Sequence, residues 1–480
     1  MRRVAIIGMG VGGSAVLMAY AKKYNKQKPN DIQIDCYDES DTFGRGVPFS
    51  EQSPEALINS RTIKISYDYE NLEDFHDWLE EKHPGVSVPD YVPRSVYGDY
   101  NYERTMDLIA RLSANTIYKK ISSLNYLAET KQWEVDDLLY DEVHLCIGNQ
   151  SYNDPYKLTG LKHYIHQPYP LDKVCQPLGK TDSVVIVGTS LTAIDCAKHI
   201  MNFSLVDKVY MFSRSNKFPA VRGDDHQPLK FNYLTFESVY QAKQENNGKF
   251  TYAIFEKLFN KEIKHLQINY SQFKNDYLTP AREGIQSGLD HPDIFGQMPM
   301  LMNRVTEIMT VGWEAMPESD REEFNKHFKQ VIELTRNPMP DDSARELLSF
   351  IEAGKLVILD DVDSIEVQAG KFNLLDEGKE LIQEVDWVMN ATGLDMAFKE
   401  AKGLTEQLLN DRYSQVDSAG GLSIVRPASV ISPRYGAWEN LHAHGLIVQG
   451  PIYQNNATIK IQQHADMLIR HIPEIRALDV

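Results

Sequence analysis

Three glycines, Gly8, Gly10 and Gly13, follow the apolar run Val4–Ile7 in G-x-G-x-x-G spacing, with Gly12 between the last two. Residues of this type at this spacing hold a diphosphate. The first glycine permits a tight turn out of a strand, the second lets the backbone approach a pyrophosphate, and the third lets the next helix pack against the strand. The helix N-terminus then turns its free N–H groups and partial positive charge toward the phosphates. Further along, Gly188, Ser190 and Ala193 repeat the pattern as G-x-S-x-x-A after the apolar run Ser183–Val187. Ala193 is an accepted third position, whereas Ser190 puts a small side chain where a pyrophosphate would approach.

Each turn needs a strand before it, a helix after it and a second strand beside it. Ser14–Tyr24 is rich in good helix formers, and Ile32–Tyr37 alternates as a strand ending at Asp38, 25 residues past Gly13. An acid at that place meets the hydroxyls of an adenosine ribose. Glu39 is the one-residue alternative, and a bare strand-to-helix turn without ligand would share the glycines but not the acid. In the second pattern the strand Lys208–Phe212 ends at Ser213-Arg214-Ser215. A guanidinium there can bind a 2′-phosphate bidentately, where an acid would repel it. NADPH is therefore expected at this turn in preference to NADH, the alternative being that Arg214 is a solvated strand-end charge on a fold without ligand.

Between the two patterns the chain reads Phe43-Gly44-Arg45-Gly46-Val47-Pro48-Phe49, Leu57-Ile58-Asn59, Phe75-His76-Asp77-Trp78-Leu79 and Val92-Pro93-Arg94-Ser95-Val96-Tyr97-Gly98-Asp99-Tyr100. This series resembles the glutathione-reductase-like class of two-dinucleotide flavoproteins, and within it a bacterial family of FAD-NAD(P)-binding oxidoreductases related to flavin monooxygenases. The resemblance implies an α/β fold of two Rossmann-like dinucleotide-binding domains, with FAD at the first turn. It also implies flavin contacts at Arg45 and Asn59. Arg94 either stands near the flavin or simply begins a surface helix, and Phe75 and Trp78 are expected to pack. Asp141–Asn149, with Gly148, and Val385–Gly393, with Thr392 and Gly393 in an A-T-G triplet, match the strands that return between the two folds. Leu446–Gln449, Gly450, Asn455 and Asn456 match a closing strand, turn and helix, in which Gly450 and Asn455 would face the flavin.

The chain has four cysteines, Cys36, Cys146, Cys175 and Cys196, and no C-x-x-C pair. Disulfide-reductase chemistry needs a resolving pair beside the flavin, so it is excluded. The resemblance then implies an FAD-dependent, NADPH-using monooxygenase that forms a flavin hydroperoxide and oxygenates a small organic substrate. A reductase passing electrons to an organic or protein acceptor, and a flavin-binding scaffold or redox sensor, are the alternatives. His166, in a loop with Tyr169 and Pro170, matches a Baeyer–Villiger signature only loosely and reads as a polar loop residue. No catalytic side chain and no metal site is readable.

At 480 residues two or three domains are expected. The expected division is an FAD domain of 1–180 and 386–480 and an NAD(P) domain of 181–385, the latter with a mostly helical insertion at about 225–353. In that insertion Arg321–Thr335 and Ser343–Ala353, the second with a Ser-x-x-Glu start, read as helices. Phe295, Met298, Met300, Met302, Trp313 and Met316 there suit either helix packing or an apolar lid. The net charge of −18 excludes a dominant nucleic-acid surface. No apolar run is long enough to span a membrane and Met1–Ile7 makes a poor secretion signal, so a cytoplasmic setting is expected, with the oligomeric state open.

Overall fold

The apolar runs before the two glycine turns become central strands of two parallel sheets. The computed structural model describes residues 1–27, 30–39, 42–50, 53–148, 151–224, 227–399, 401–453 and 457–472. They fall into two units, one of Met1–Ser151 and Leu394–Arg476, the other of Tyr152–Gly393.

In the first unit the sheet order is Ile424–Val425, Ser429–Ser432, Gly436–Ala443, Glu142–Leu145, Arg2–Ile7, Ile32–Asp38, Asn115–Tyr118. The last five run parallel and the first two antiparallel. Val4 and Ile6 enter the core on one face and Ala5 and Ile7 the core on the other. Burial on both faces is why this strand reads as a continuous apolar run instead of an alternating one. The helices Val11–Lys23, Arg94–Leu112 and Thr458–Ile469 bury residues in the Val4/Ile6 core. A small antiparallel sheet, Asn125–Leu127, Gln132–Val135 and Leu138–Tyr140, completes the unit.

In the second unit the order is Leu356–Ile358, Val209–Phe212, Val184–Val187, Trp387–Asn390, Tyr164–Ile165, every neighbour parallel. Between Phe212 and Leu356 lie the helices of the insertion, from Phe236–Glu245 to Asp341–Glu352. Its aromatic and methionine residues form a core: Phe295, Met298, Met302, Trp313 and Met316 are all buried, so packing accounts for that stripe. Met300 is partly exposed.

Four details differ from the sequence reading. Residues 152–180 belong to the second unit, because Tyr164–Ile165 pairs with Trp387–Asn390. The apolar run at Leu446 is no strand: the strand is Gly436–Ala443, and Gly445, at φ +81°, turns the chain into the 3-10 turn Gly445–Val448. Ser343 caps nothing. Pro340 starts that helix, and Ser343 lies buried within it, accepting a hydrogen bond from Lys198 at 3.2 Å. Arg321–Thr335 is interrupted by a π turn at Asn325–Lys329 between the helices Glu318–Phe324 and Gln330–Arg336.

Candidate dinucleotide sites

Gly8 leaves the first strand at φ +93°, and its N–H donates to the Tyr37 carbonyl at 2.8 Å. A β-carbon there would lie 2.5 Å from the Cys146 carbonyl oxygen, so only glycine lets the turn close on the returning strand. Gly13 touches the turn from the helix side, where a β-carbon would meet the Gly8 oxygen at 2.0 Å. Gly10 is the N-cap of Val11–Lys23, without a side-chain cap or an acid in the first turn. The first N–H groups of that helix have no partner within it, the arrangement that suits an anion.

The loop after Asp38 folds over this turn. Gly44 N–H donates to the Met9 carbonyl, and Gly46 meets Gly10 backbone to backbone. Asp38 ties turn and loop together: its carboxylate accepts from Met9 N–H at 2.6 Å, Glu39 N–H at 2.7 Å and the Thr42 hydroxyl at 3.0 Å. Burial raises its pKa, with the three hydrogen bonds opposing. Glu39 is exposed and pairs with Lys120 at 3.5 Å, so of the two acids Asp38 is the one anchored at the turn. Arg45 lies on Asp99 at 2.8 Å and over the Tyr102 ring. Asn59 is in the loop between Leu57, which bridges to Pro93, and the turn Thr62–Lys64. Arg94 begins its helix and donates to the Leu57 carbonyl. Phe75 and Trp78 are packed in the core.

The second turn reproduces the first bond for bond. Gly188 stands at φ +127°, its N–H donates to the Phe212 carbonyl at 2.8 Å, and a β-carbon would lie 2.6 Å from the Ala391 carbonyl oxygen. Cys146 N–H donates to Ile7 and Ala391 N–H to Val187 at corresponding places. Ser190 takes Gly10's position with a similar backbone, φ −81° against −71°, and its side chain is exposed and makes no cap bond. Ala193 is fully buried, as a third position should be.

Arg214 is exposed on the turn after Val209–Phe212. The turn is fixed from within: Asn216 accepts from Ser213 N–H at 2.7 Å and donates to Leu359 and Asp360, while the Thr189 hydroxyl donates to the Lys217 carbonyl at 2.7 Å. Lys217 lies there too, its pKa lowered by burial and then by the charge of Lys274. Sequence reasoning missed both lysines. Lys217 stands three residues after Arg214, but Lys274 comes from the insertion, and no spacing announces it.

Beyond the return strands, Gly148 and Gly393 have positive φ, and among the described residues nothing other than chain neighbours lies within 4 Å of a β-carbon position at either. The Thr392 hydroxyl donates to Asn390 at 2.8 Å. Gly450 is needed for packing, since a β-carbon would overlap the Gly420 oxygen. Asn455 and Asn456 lie outside the described residues. His166 has a structural part: its carbonyl accepts from Asn390 at 3.0 Å. All four cysteines are buried and none is disulfide-bonded. Among the described residues no cluster suits a metal ion, and no helix is long and apolar enough to cross a membrane.

Residues 5–150 match the model of a family described as FAD-NAD(P)-binding. No curated protein matches the chain. Among solved structures, L-lysine 6-monooxygenase of Pseudomonas syringae is similar at a TM-score of 0.58 and 12% identity, covering 98% of each chain. The reduced form of ornithine hydroxylase from Pseudomonas aeruginosa is similar at 0.57 and 12%, also covering 98% of each. Ornithine N-hydroxylase of Kutzneria sp. 744, with reduced FAD, NADP+ and L-ornithine, is similar at 0.55 and 10%, again over 98% of each. At these identities the likeness is one of fold.

Proposed function

We propose that this chain, an FAD-NAD(P)-binding protein with a second dinucleotide fold, is a flavin monooxygenase that uses NADPH and oxygenates a small organic substrate. The observation that carries the reading is the second glycine turn: it keeps the strand, turn and helix geometry of the first, which supports a second dinucleotide site. The fold likeness to amine N-hydroxylases, along nearly the full length of both chains, makes a primary amine the substrate to try first. Without a cysteine pair, the flavin itself must carry the chemistry. FAD, when bound, accepts a hydride from NADPH and passes the electrons to oxygen.

The chain's own residues would bind and orient. Gly8, Gly10, Gly12 and Gly13 present the helix N-terminus to the FAD pyrophosphate, and Asp38 keeps lone pairs for the adenosine ribose. Gly188, Ser190 and Ala193 do the same for NADPH. Arg214, with Lys217 and Lys274, supplies the positive charge for its 2′-phosphate. Purified protein should be yellow, release FAD on extraction and bleach with NADPH. In air, with a primary amine, oxygen uptake should end in N-oxygenated product. Extraction of FMN, or of no flavin, would remove the assignment. Peroxide as the sole product across amines would count against the oxygenation.

A further inference from the structure

The first unit holds a file of buried ionisable side chains that the binding of dinucleotides does not explain. Glu142 and His144 on one strand, and His442 on the next, lie on the sheet face that also carries Val4 and Ile6, His442 being level with His144. Tyr20 comes from the helix after the glycine turn and His464 from the last helix. All six of these residues, counting His444, are buried. At the lower end Arg2, half exposed, pairs with Glu142. Glu142 also accepts from His442 at 3.1 Å and from the Tyr20 hydroxyl at 3.3 Å. Tyr20 meets His144 Nε2 at 3.0 Å, and His144 Nδ1 meets His444 Nε2 at 3.1 Å. At the upper end His444 adjoins the first glycine turn: a β-carbon on Gly12 would lie 3.7 Å from its carbonyl oxygen.

The proton positions follow from the ends. Arg2 and His442 favour Glu142 as a carboxylate, so the Tyr20 proton points to it. The Tyr20 oxygen then accepts from His144 Nε2–H, and the bare His144 Nδ1 accepts from His444 Nε2–H. That leaves His444 Nδ1 as a bare nitrogen, and it is one of the buried atoms without a hydrogen-bond partner. An unfilled lone pair is a tolerable orphan, and it is also what takes up a proton.

We propose that His444, His144, Tyr20 and Glu142 form a proton relay between the glycine-turn end of this unit and solvent at the N-terminal end of its central strands. A proton bonding to His444 Nδ1 releases the Nε2 proton to His144 Nδ1. The His144 Nε2 proton moves to the Tyr20 oxygen, and the Tyr20 hydroxyl proton moves to Glu142, which gives it to water beside Arg2. No electrons are transferred. The passage leaves each imidazole in its other tautomer, ready to carry the next proton inward, which suits a cycle that alternately takes up and gives off protons at the flavin.

The relay rests on the FAD reading, and the test separates the two. The full chain, 15N-labelled at its histidine rings, should show coupling across an N–H···N bond between His144 and His444 with or without flavin. Anaerobic dithionite reduction of the FAD-loaded protein in weak buffer with a pH dye should show proton exchange slowed at least about ten-fold in His144→Gln, at equal FAD occupancy. Tyr20→Phe, which leaves only the 3.5 Å gap between His144 and Glu142, should also slow it. Absence of the coupling, or wild-type exchange in both variants, overturns the relay alone. A protein showing the coupling but binding no FAD overturns the functional reading and the relay's task with it.

Discussion

At the scale of single residues, the proposed choice of reductant turns on one cation. Arg214 is exposed on a turn that Asn216 and Thr189 hold rigid, so its guanidinium is presented at little cost in ordering. A charge-assisted contact to a 2′-phosphate is worth roughly 1.5–3 kcal/mol, which is about 10- to 150-fold in affinity. Arg214→Ala is therefore expected to raise the Kd for NADPH by that factor and leave NADH nearly unchanged. Lys274→Ala should show the same selectivity with a smaller loss, because an ammonium makes a point contact where a guanidinium makes two bonds. Titration of flavin bleaching with both nucleotides checks this, and equal losses for NADPH and NADH would assign Arg214 to structure. Arg214 was legible in the sequence because it replaces an expected acid at a fixed offset. Lys274 was not, because it lies 60 positions further along the chain than Arg214, inside the insertion.

At the scale of elements, what the sequence made legible was local geometry and what it hid was convergence. Strand, glycine turn and helix are contiguous, so their order can be read directly. The histidine file draws on residues 2, 20, 142, 144, 442, 444 and 464, and what brings them together is the pairing of Glu142–Leu145 with Arg2–Ile7 and Gly436–Ala443 and the packing of the helices Val11–Lys23 and Thr458–Ile469. Its packing between sheet and helices has a consequence for stability. Burial holds His144 at about 3 and His464 at about 4, and lowers His444 as well. The groups facing them are Arg2, Tyr20, Glu142, His442 and Arg426. In the unfolded chain these imidazoles take protons near pH 6.5, so below that value the unfolded state binds more protons, and stability falls as pH falls toward the folded values. At pH 5 His144 and His464 each cost roughly 2 kcal/mol relative to neutral pH. Urea unfolding at pH 7.5 and 5 should show this loss, and His144→Gln should reduce it by roughly 2 kcal/mol. A pH-independent midpoint would mean that water reaches the rings.

At the scale of the whole molecule, the apolar runs and glycine turns disclosed two dinucleotide folds, but not where the chain leaves one for the other. The change falls at Ser151 and Tyr152, since a two-residue strand, Tyr164–Ile165, is too short to stand out by composition. The proposed function turns on the oxygen reaction, and the cysteines provide a way to isolate it. Burial raises the pKa of Cys36, Cys146 and Cys175, so these thiols are poor nucleophiles as well as unpaired. A variant with all four cysteines changed to alanine should bleach its flavin with NADPH at close to the wild-type rate. Alanine is the better replacement than serine, because a hydroxyl at Cys36, fully buried in the apolar core around Val4 and Ile6, would have to be taken out of water. Reoxidised under 18O2 with an accepted amine, the same variant should place one labelled atom in the product. Loss of bleaching in a folded, FAD-loaded variant would restore a thiol mechanism. Unlabelled product, with reoxidation accelerated by added quinones, would instead make the chain a reductase that hands its electrons to an organic acceptor.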